Sequence, residues 1–227
     1  FVTELCPSRL RAPLTALVEL LAAVPSVVYG LWGIFVVIPA LKPVQQWAAD
    51  TFSFLPFVGG PVAGPSYFVA GLILAIMIVP IVSAISREVI ATVPPELKEA
   101  SLALGATRWE MIRMAVLPYS RAGIVGASML GLGRAIGETI AVTLVIGNAP
   151  TIGSQIFDQG YTLAAVIANE FGEAANDKLH AGALIAAGLV LFVLTLLINL
   201  AARGLVVRAE RRASAPPPPA AVTGSAA

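Results

Sequence analysis

The sequence predicts an all-helical protein that crosses a membrane several times. Three observations carry this expectation. Hydrophobic residues make up 58% of the 227 residues and charged residues 12%, about half of the ~25% charged content of a soluble domain. The mean hydropathy is +0.88. The apolar residues are gathered in four blocks, each long enough to cross a hydrocarbon core. The net charge of +1 points to no polyanionic partner, nucleic acid included. Cys6 is the single cysteine and has no mate for an internal disulfide.

The first block runs from Leu14 to Ala40, with Glu19 near its start and Pro25 inside. The second runs from Tyr67 to Ser86, with Pro80 inside. At ~1.5 Å rise per residue it is roughly 30 Å long, the thickness of the hydrocarbon core. The third runs from Ala122 to Ile146 and the fourth from Ala181 to Ala202. Lipid gives backbone N–H and C=O groups no partner, so all four are expected to be helices. Pro25 and Pro80 read as kinks whose freed carbonyls are met by neighbouring groups. Residues 1–205 then form one transmembrane domain, followed by a short tail.

Loop charges set the orientation. Arg9 and Arg11 precede the first block; Arg87, Lys98, Arg108, Arg113 and Arg121 lie between the second and third; Arg203, Arg208, Arg211 and Arg212 follow the fourth. The other two loops hold only Lys42 and Lys178. By the positive-inside rule both ends and the 87–121 loop are cytoplasmic. Of the outer loops, residues 42–66 are rich in Pro and Gly, and residues 147–178 carry Asp158, Glu170, Glu173 and Asp177. Thr162 to Phe171 is expected to form a short interfacial helix. The tail, residues 206–227, turns Ala/Pro/Ser-rich from Ala213, with Pro216 to Pro219, and is expected to be disordered. The opening Phe1-Val2-Thr3-Glu4 has no signal-peptide character and reads as the inside of a loop, so further sequence is expected upstream.

The 87–121 loop is the most informative segment. Pro94-Pro95-Glu96 is a helix start, with proline in the first turn and an acid near the positive dipole end. Leu97, Ala100, Ser101 and Leu104 share one face at helical spacing. Gly105 is a stop where a left-handed residue is needed. Thr107 to Glu110 is a capping box that opens a second helix, which Pro118 is expected to end. Such a short helix fits a groove on a partner protein; lying on the membrane surface is the simpler reading on physics alone.

Glu99-Ala100-Ser101, Gly105 and Leu117-Pro118 are similar, in residue and spacing, to the EAA loop of binding-protein-dependent ABC importers. Ser101 stands where that motif has Ala, and Ala115 where it has Ile. The resemblance implies the permease fold of those importers (MetI-like) and makes this loop the element that couples to an ATPase subunit. The chain has no G-x-x-x-x-G-K-[ST] phosphate loop of its own. ATP and Mg are therefore expected in that partner, and no cofactor or metal is expected in this chain.

Arg134 and Glu138 lie four residues apart inside the third block, on one face of a continuous helix. Ionisable residues at membrane depth are costly and functional by default. Gly133 and Gly137 form a GxxxG pattern beside them, a signal for close helix packing. Two readings stay open. In one, Arg134 offers its guanidinium to an oxyanion in a pathway and Glu138 is its counterion when the site is empty. In the other, the pair neutralises itself and fixes helix register.

The run Gly131-Leu132-Gly133-Arg134-Ala135-Ile136-Gly137-Glu138-Thr139-Ile140-Ala141-Val142-Thr143 is similar to the signature of phosphate-specific permeases. Pro25-Ser26-Val27-Val28-Tyr29-Gly30, Gly147-Asn148, and Thr162-Leu163-Ala164 leading to Ile167-Ala168-Asn169-Glu170 fit as well. The continuation after Gly-Glu-Thr resembles the PstC-type subunit. The resemblance covers nearly the whole chain to about Leu205. It implies half of a translocation path for phosphate in a prokaryotic cell membrane. It also implies a sister permease, two ATPase subunits and an external phosphate-binding protein, with Arg134, Glu138 and Thr139 on the path and Gly133, Gly137 and Pro25 shaping the helices. Family members usually have six spans against the four counted here.

His180 stands alone at the outer end of the fourth block, where no metal-ligand set converges. Tyr29 and Ser26 flank Pro25 and either line a pathway or satisfy carbonyls freed by the kink. Trp32, Trp47 and Trp109 read as interfacial anchors. Three alternatives compete with phosphate import. A permease for sulfate or molybdate would share the EAA loop. An intramembrane enzyme would need a nucleophile with its base, or a metal cluster, at membrane depth. A passive membrane assembly protein would need neither a docking loop nor a charged pair in a span.

Overall fold

The computed structural model describes residues 3–174 and 177–213. They form eight helical segments: α1 (Ser8–Ala23), α2 (Ser26–Thr51), α3 (Tyr67–Ala91), α4 (Pro95–Ala103), α5 (Arg108–Ile136), α6 (Ile140–Ile146), α7 (Leu163–Glu170) and α8 (Lys178–Ala213). The only β pairing among the described residues is a bridge between Gly147 and Gly160. Three stretches are long and apolar enough to cross a membrane, namely α2, α3 and Lys178–Gly204 of α8. Helices α5 and α6 together make a fourth, bent by 63° at its break.

The first span is shifted from its expected bounds. Leu14–Ala40 straddles a break, because Val24 (ψ 128°) and Pro25 (ψ 141°) are extended. Proline pushes the preceding residue out of the helical region and supplies no N–H to continue it. Pro25 is therefore the boundary between α1 and α2 rather than a kink within a span. The Tyr29 hydroxyl reaches back across it and donates to the Leu21 carbonyl at 2.8 Å, so of the two roles open to Tyr29 the carbonyl-satisfying one is realised. The span itself runs on to Thr51, into the segment expected to be loop.

Other prolines are carried through. In α2 a π turn, Gly33–Val37, precedes Pro39, and in α5 another, Ile112–Val116, precedes Pro118. The N–H of Ile38 bonds the carbonyl of Gly33, and that of Leu117 bonds the carbonyl of Ile112. The widened turn leaves a place where a missing N–H and a bulky ring are tolerated. Pro118 does not end the second loop helix, which continues through it into the third span as α5.

The core lies between α2, α3 and α6. Tyr29 and Val37 of α2, Val69, Ala70, Ile73 and Met77 of α3, and Ala141, Val142, Val145 and Ile146 of α6 form one buried cluster. Helix α6 presses on a glycine face of α2: a Cβ at Gly30 would lie 2.6 Å from Leu144 Cδ1 and 3.1 Å from Ala141 Cα, and one at Gly33 would lie 2.5 Å from Val145 Cγ1. Backbone bonds tie the far end of α6 to the loops. Ser66 N–H donates to Val145 C=O and Gly160 N–H to Ile146 C=O, each at 3.2 Å. The first turn of α3 is met by the same loops, with Tyr67 N–H on Asp158 C=O and Phe68 N–H on Ile156 C=O, each at 3.0 Å. Beneath them Ser66 (0% exposed) and Gln45 (1%) share a buried hydrogen bond.

The remaining elements pack on this core. Along α5, Gly123 lies against Val89 and Gly131 against Ile78 and Val82 of α3, with Ala127 buried between them. Helix α8 packs on α5 and α7 and leaves most of its apolar surface open, as a lipid-facing span does. The expected interfacial helix is α7, opened by Thr162, whose hydroxyl accepts from Ala165 N–H at 3.3 Å. Helix α8 runs to Ala213, into the segment expected to be disordered; the remainder of that tail lies outside the described residues.

Candidate functional site

The third span breaks at the residues that carry its charge. Helix α5 stops at Ile136; the N–H of Gly137 bonds Gly133 C=O at 3.4 Å and that of Glu138 bonds Ala135 C=O at 3.2 Å, a tightening final turn. Thr139 (φ −110°, ψ −58°) leads into α6. Its hydroxyl donates to Gly137 C=O at 3.3 Å, and its carbonyl accepts both the N–H (2.9 Å) and the hydroxyl (2.8 Å) of Thr143.

Because the chain turns here, Arg134 and Glu138 do not share one helical face. Glu138 is half-buried, and its Oε1 accepts from Ala141 N–H at 3.3 Å, meeting an otherwise open donor in the first turn of α6. Arg134 is exposed in the last turn of α5, where cationic side chains suit the helix dipole. Among the described residues it has no hydrogen-bond or ion-pair partner. The self-neutralising pair is therefore not formed, and the guanidinium fork stands open.

The GxxxG expectation holds only in part. A Cβ at Gly133 would sit 3.5 Å from Asn199 Oδ1 of α8, an ordinary contact, while one at Gly137 would meet only its own helix at 3.8 and 3.9 Å. The close approach within this chain is made instead by Gly123, Ala127 and Gly131, where a Cβ at Gly131 would fall 2.5 Å from Ile78 Cγ2. That small-residue stripe, at the same four-residue spacing, was available in the sequence and was overlooked beside the charged pair.

The second candidate region is α4 with its flanks. None of the residues of α4 is buried. Glu99 and Ala100 are exposed, Ser101 is half-buried, and Leu104 is 90% exposed. Gly105 has φ +87°, and its N–H bonds Leu102 C=O (3.0 Å) while Ala106 N–H bonds Ser101 C=O (3.3 Å), the paired bonds of a Schellman stop. The capping box follows: Thr107 Oγ1 accepts from Glu110 N–H at 3.3 Å and Glu110 Oε2 accepts from Thr107 N–H at 2.8 Å. In this exposed loop that backbone bond, with the Thr107 hydroxyl, holds the Glu110 carboxyl below its ordinary range. Val93, Met111, Ile112 and Val116 form a small core that fixes the loop to the start of α5. Leu117 and Pro118 lie just beyond it and are exposed.

Two ion pairs and one histidine–carboxylate contact tie elements together without a sequence motif to mark them. Lys98 Nζ meets Glu4 Oε1 at 2.7 Å and Arg87 meets Glu19 at 2.6 Å, joining the N-terminal segment and α1 to the base of the loop. His180 Nε2 lies 3.2 Å from Glu170 Oε2, linking α7 to α8. The partners of the two ion pairs are 94 and 68 positions apart, and no local pattern marks them.

A model of the protein family described as "Binding-protein-dependent transport system inner membrane component" matches residues 5–212. The chain belongs to that family. As an inner membrane component it is a multi-pass membrane protein, in accord with its apolar helices. It is 48% identical over 220 residues to the "Phosphate transport system permease protein PstC" of Mesorhizobium japonicum, a match covering 95% of this chain and 67% of that one. It is 50% identical over 210 residues to "Phosphate transport system permease protein PstC 2" of Mycobacterium tuberculosis, covering 90% and 64%. The chain thus spans about two thirds of the length of these relatives. Among solved structures, one of the MetNI methionine ABC transporter in inward-facing conformations superposes with a TM-score of 0.59 over 90% of this chain and 78% of that one. At 18% identity the likeness is one of fold, the permease fold that the loop motif implied.

Proposed function

We propose that this inner membrane component is the permease subunit of an ATP-driven importer of inorganic phosphate. The observation that carries this reading is Arg134, an exposed and unpartnered guanidinium at a helix break within a span. An unpaired charge is not left at membrane depth without water or a ligand to meet it. A planar cation with five donors suits an oxyanion. The named function of the relatives supplies the choice of phosphate.

In this reading the subunit forms half of a path, with a sister permease forming the other half. Arg134 and Thr139 face the path, and Glu138 holds the break from which they project. The exposed α4, with Glu99, Ala100, Ser101 and Gly105, seats in one of two ATPase subunits, where ATP and Mg are bound. Leu117 and Pro118 pass its movement into α5. Both ends of the chain and the α4 loop are cytoplasmic, and an external phosphate-binding protein delivers substrate to the opposite face. ATP binding closes the ATPase pair and shifts the permeases between two states of access.

The test is labelled-phosphate uptake by the assembled importer, comparing the native protein with Arg134→Gln, with membrane levels of every subunit measured alongside. Uptake is expected to fall by roughly tenfold or more, the equivalent of a lost charged hydrogen bond worth ~1.5–3 kcal/mol. Sulfate and molybdate are expected not to compete. Normal uptake in the variant sinks the role of Arg134. Competition by sulfate moves the substrate to another oxyanion and leaves the permease assignment standing.

A further inference from the structure

We infer that Asn199 of α8, which lies over Gly133, is a second polar contact for the oxyanion that Arg134 meets. The inference rests on the reading of Arg134 as an anion contact.

Between its first turn and Arg203, the apolar stretch of α8 holds two polar side chains, Thr195 and Asn199, the second of them one turn before Arg203. Thr195 is satisfied by its own helix, donating to Leu191 C=O at 2.9 Å or Phe192 C=O at 2.8 Å. Asn199 is different. Its side chain is exposed and has no hydrogen bond among the described residues. A primary amide facing hydrocarbon loses its hydrogen bonds to water and gains nothing in return. Polar side chains within spans accordingly face protein or a water-filled cavity. The position of this amide shows which direction that is. Its Oδ1 lies over Gly133, 3.5 Å from where a Cβ would stand. Arg134 is the next residue of α5, so the amide of α8 lies against the turn from which the guanidinium leaves.

The two groups complement each other chemically. A guanidinium offers only donors. At neutral pH inorganic phosphate presents both bare oxygens, which accept, and at least one P–OH, which donates. An amide presents an NH₂ and a carbonyl oxygen. Set beside Arg134, it can donate to a phosphate oxygen and accept from the P–OH that the arginine cannot serve.

The assembled importer is reconstituted in vesicles with saturating binding protein, so that the maximal rate reports the permease rather than capture outside. Asn199→Leu is compared with Asn199→Gln, Arg134→Gln and the N199L/R134Q double variant. Leucine is close to asparagine in size and a good helix former, so normal amounts of assembled N199L complex are expected. Its maximal phosphate uptake is expected to fall about tenfold, as for loss of a buried hydrogen bond to a charged group. N199Q, which keeps an amide, is expected to recover part of that rate. The double variant is expected to be no slower than R134Q alone, because both residues act on one bound anion. Native uptake by N199L, with R134Q still slowed as expected above, overturns this inference and leaves the phosphate reading intact. Losses that multiply in the double variant overturn it too, as does a fall in assembled complex, which would make Asn199 a contact to a neighbouring subunit. If the native importer moves no phosphate, the earlier reading fails first.

Discussion

In the α2–α3–α6 core the helices press closely: a Cβ at Gly30 would crowd Leu144 Cδ1 and the Ala141 backbone, one at Gly33 would crowd Val145 Cγ1, and both ends of α6 are tied by hydrogen bonds. In the arm formed by α4 and the first turns of α5, the reverse holds. Helix α4 buries no residue, and a Cβ at Gly105 would meet nothing within 4 Å. The core is specified by tertiary contact, the arm by local capping. Both contain conformationally critical glycines, but for opposite reasons: space at Gly30 and Gly33, backbone sign at Gly105. Substitutions at the two kinds of glycine should therefore fail differently.

The largest effect is expected at Gly30. Gly30→Val brings side-chain atoms against Ala141 Cα, which cannot yield like a flexible side chain, and α6 is held by Ser66 and Gly160. Overpacking of this kind costs ~1–3 kcal/mol or more. The chain is expected to fall sharply in the membrane fraction, and what remains is expected to lose protease resistance. Full accumulation of a resistant protein would show that the core is less tightly specified than its contacts indicate.

Gly105→Val is the matching test of the arm. Nothing obstructs the side chain, but φ is +87°, where a β-branched residue costs about 1–2 kcal/mol or more. The spans should accumulate normally, since no core contact is touched. The end of α4 should fray, giving faster proteolysis between Ala103 and Thr107. In the proposed assembly, capture of the ATPase subunit should fall several-fold at about 1–2 kcal/mol of lost preorganisation. Equal loss of membrane protein in G105V and G30V would erase the distinction between the two regions.

The same contrast explains what the sequence disclosed. The arm was legible in detail because its signals are local. Gly105 closes α4 through bonds reaching back to Leu102 and Ser101, and Thr107 and Glu110 cap each other across one turn. The apolar blocks were legible because hydrophobicity needs no partner to be read. Proline was harder. Pro25 separates two helices, whereas Pro39 and Pro118 follow π turns and Pro80 lies within an unbroken α3. One residue type thus has several outcomes, decided by the surrounding backbone. The break after Ile136 has no proline to announce it. It is held by α6 packing on Gly30 and Gly33, a contact between residues about 110 positions apart. Once the helix turned there, the expected Arg134–Glu138 pair could not follow from four-residue spacing, and the open guanidinium became visible only in three dimensions.

A smaller effect is expected from Thr107→Ala, which removes one half of the capping box. Loss of an N-cap hydroxyl costs ~1 kcal/mol. It also frees Glu110 from the Thr107 hydroxyl and disturbs the backbone bond that lowers its pKa. The Glu110 carboxyl should then titrate higher, nearer an ordinary glutamate. The cap's contribution is lost on acidification, because a carboxyl held low in the folded loop contributes above its unfolded pKa and ceases to as pH falls through the folded value. In the native protein, hydrogen exchange in the first turn of α5 should therefore accelerate on acidification beyond its intrinsic pH dependence. In T107A it should begin faster and respond less to acid.

Ser101→Ala should have the smallest effect, and its sign discriminates between two uses of the α4 surface. The Ser101 hydroxyl donates to Leu97 C=O at 2.8 Å, within its own helix, and makes no other hydrogen bond among the described residues. Such back-bonding contributes little to an exposed helix, and alanine is the better helix former by ~0.5 kcal/mol. Alanine is also the residue that the resembled loop motif has at this position. If α4 is a ridge seated in a partner groove by shape, S101A should leave phosphate uptake unchanged or raise it slightly, with hydrogen exchange in α4 slowed about twofold, as a few tenths of a kcal/mol requires. If instead the partner takes a hydrogen bond from the serine hydroxyl, S101A should weaken capture of the ATPase subunit by about tenfold while α4 itself becomes more stable. The two measurements move together in the first case and in opposite directions in the second, so even a near-neutral substitution reports how the exposed arm is read.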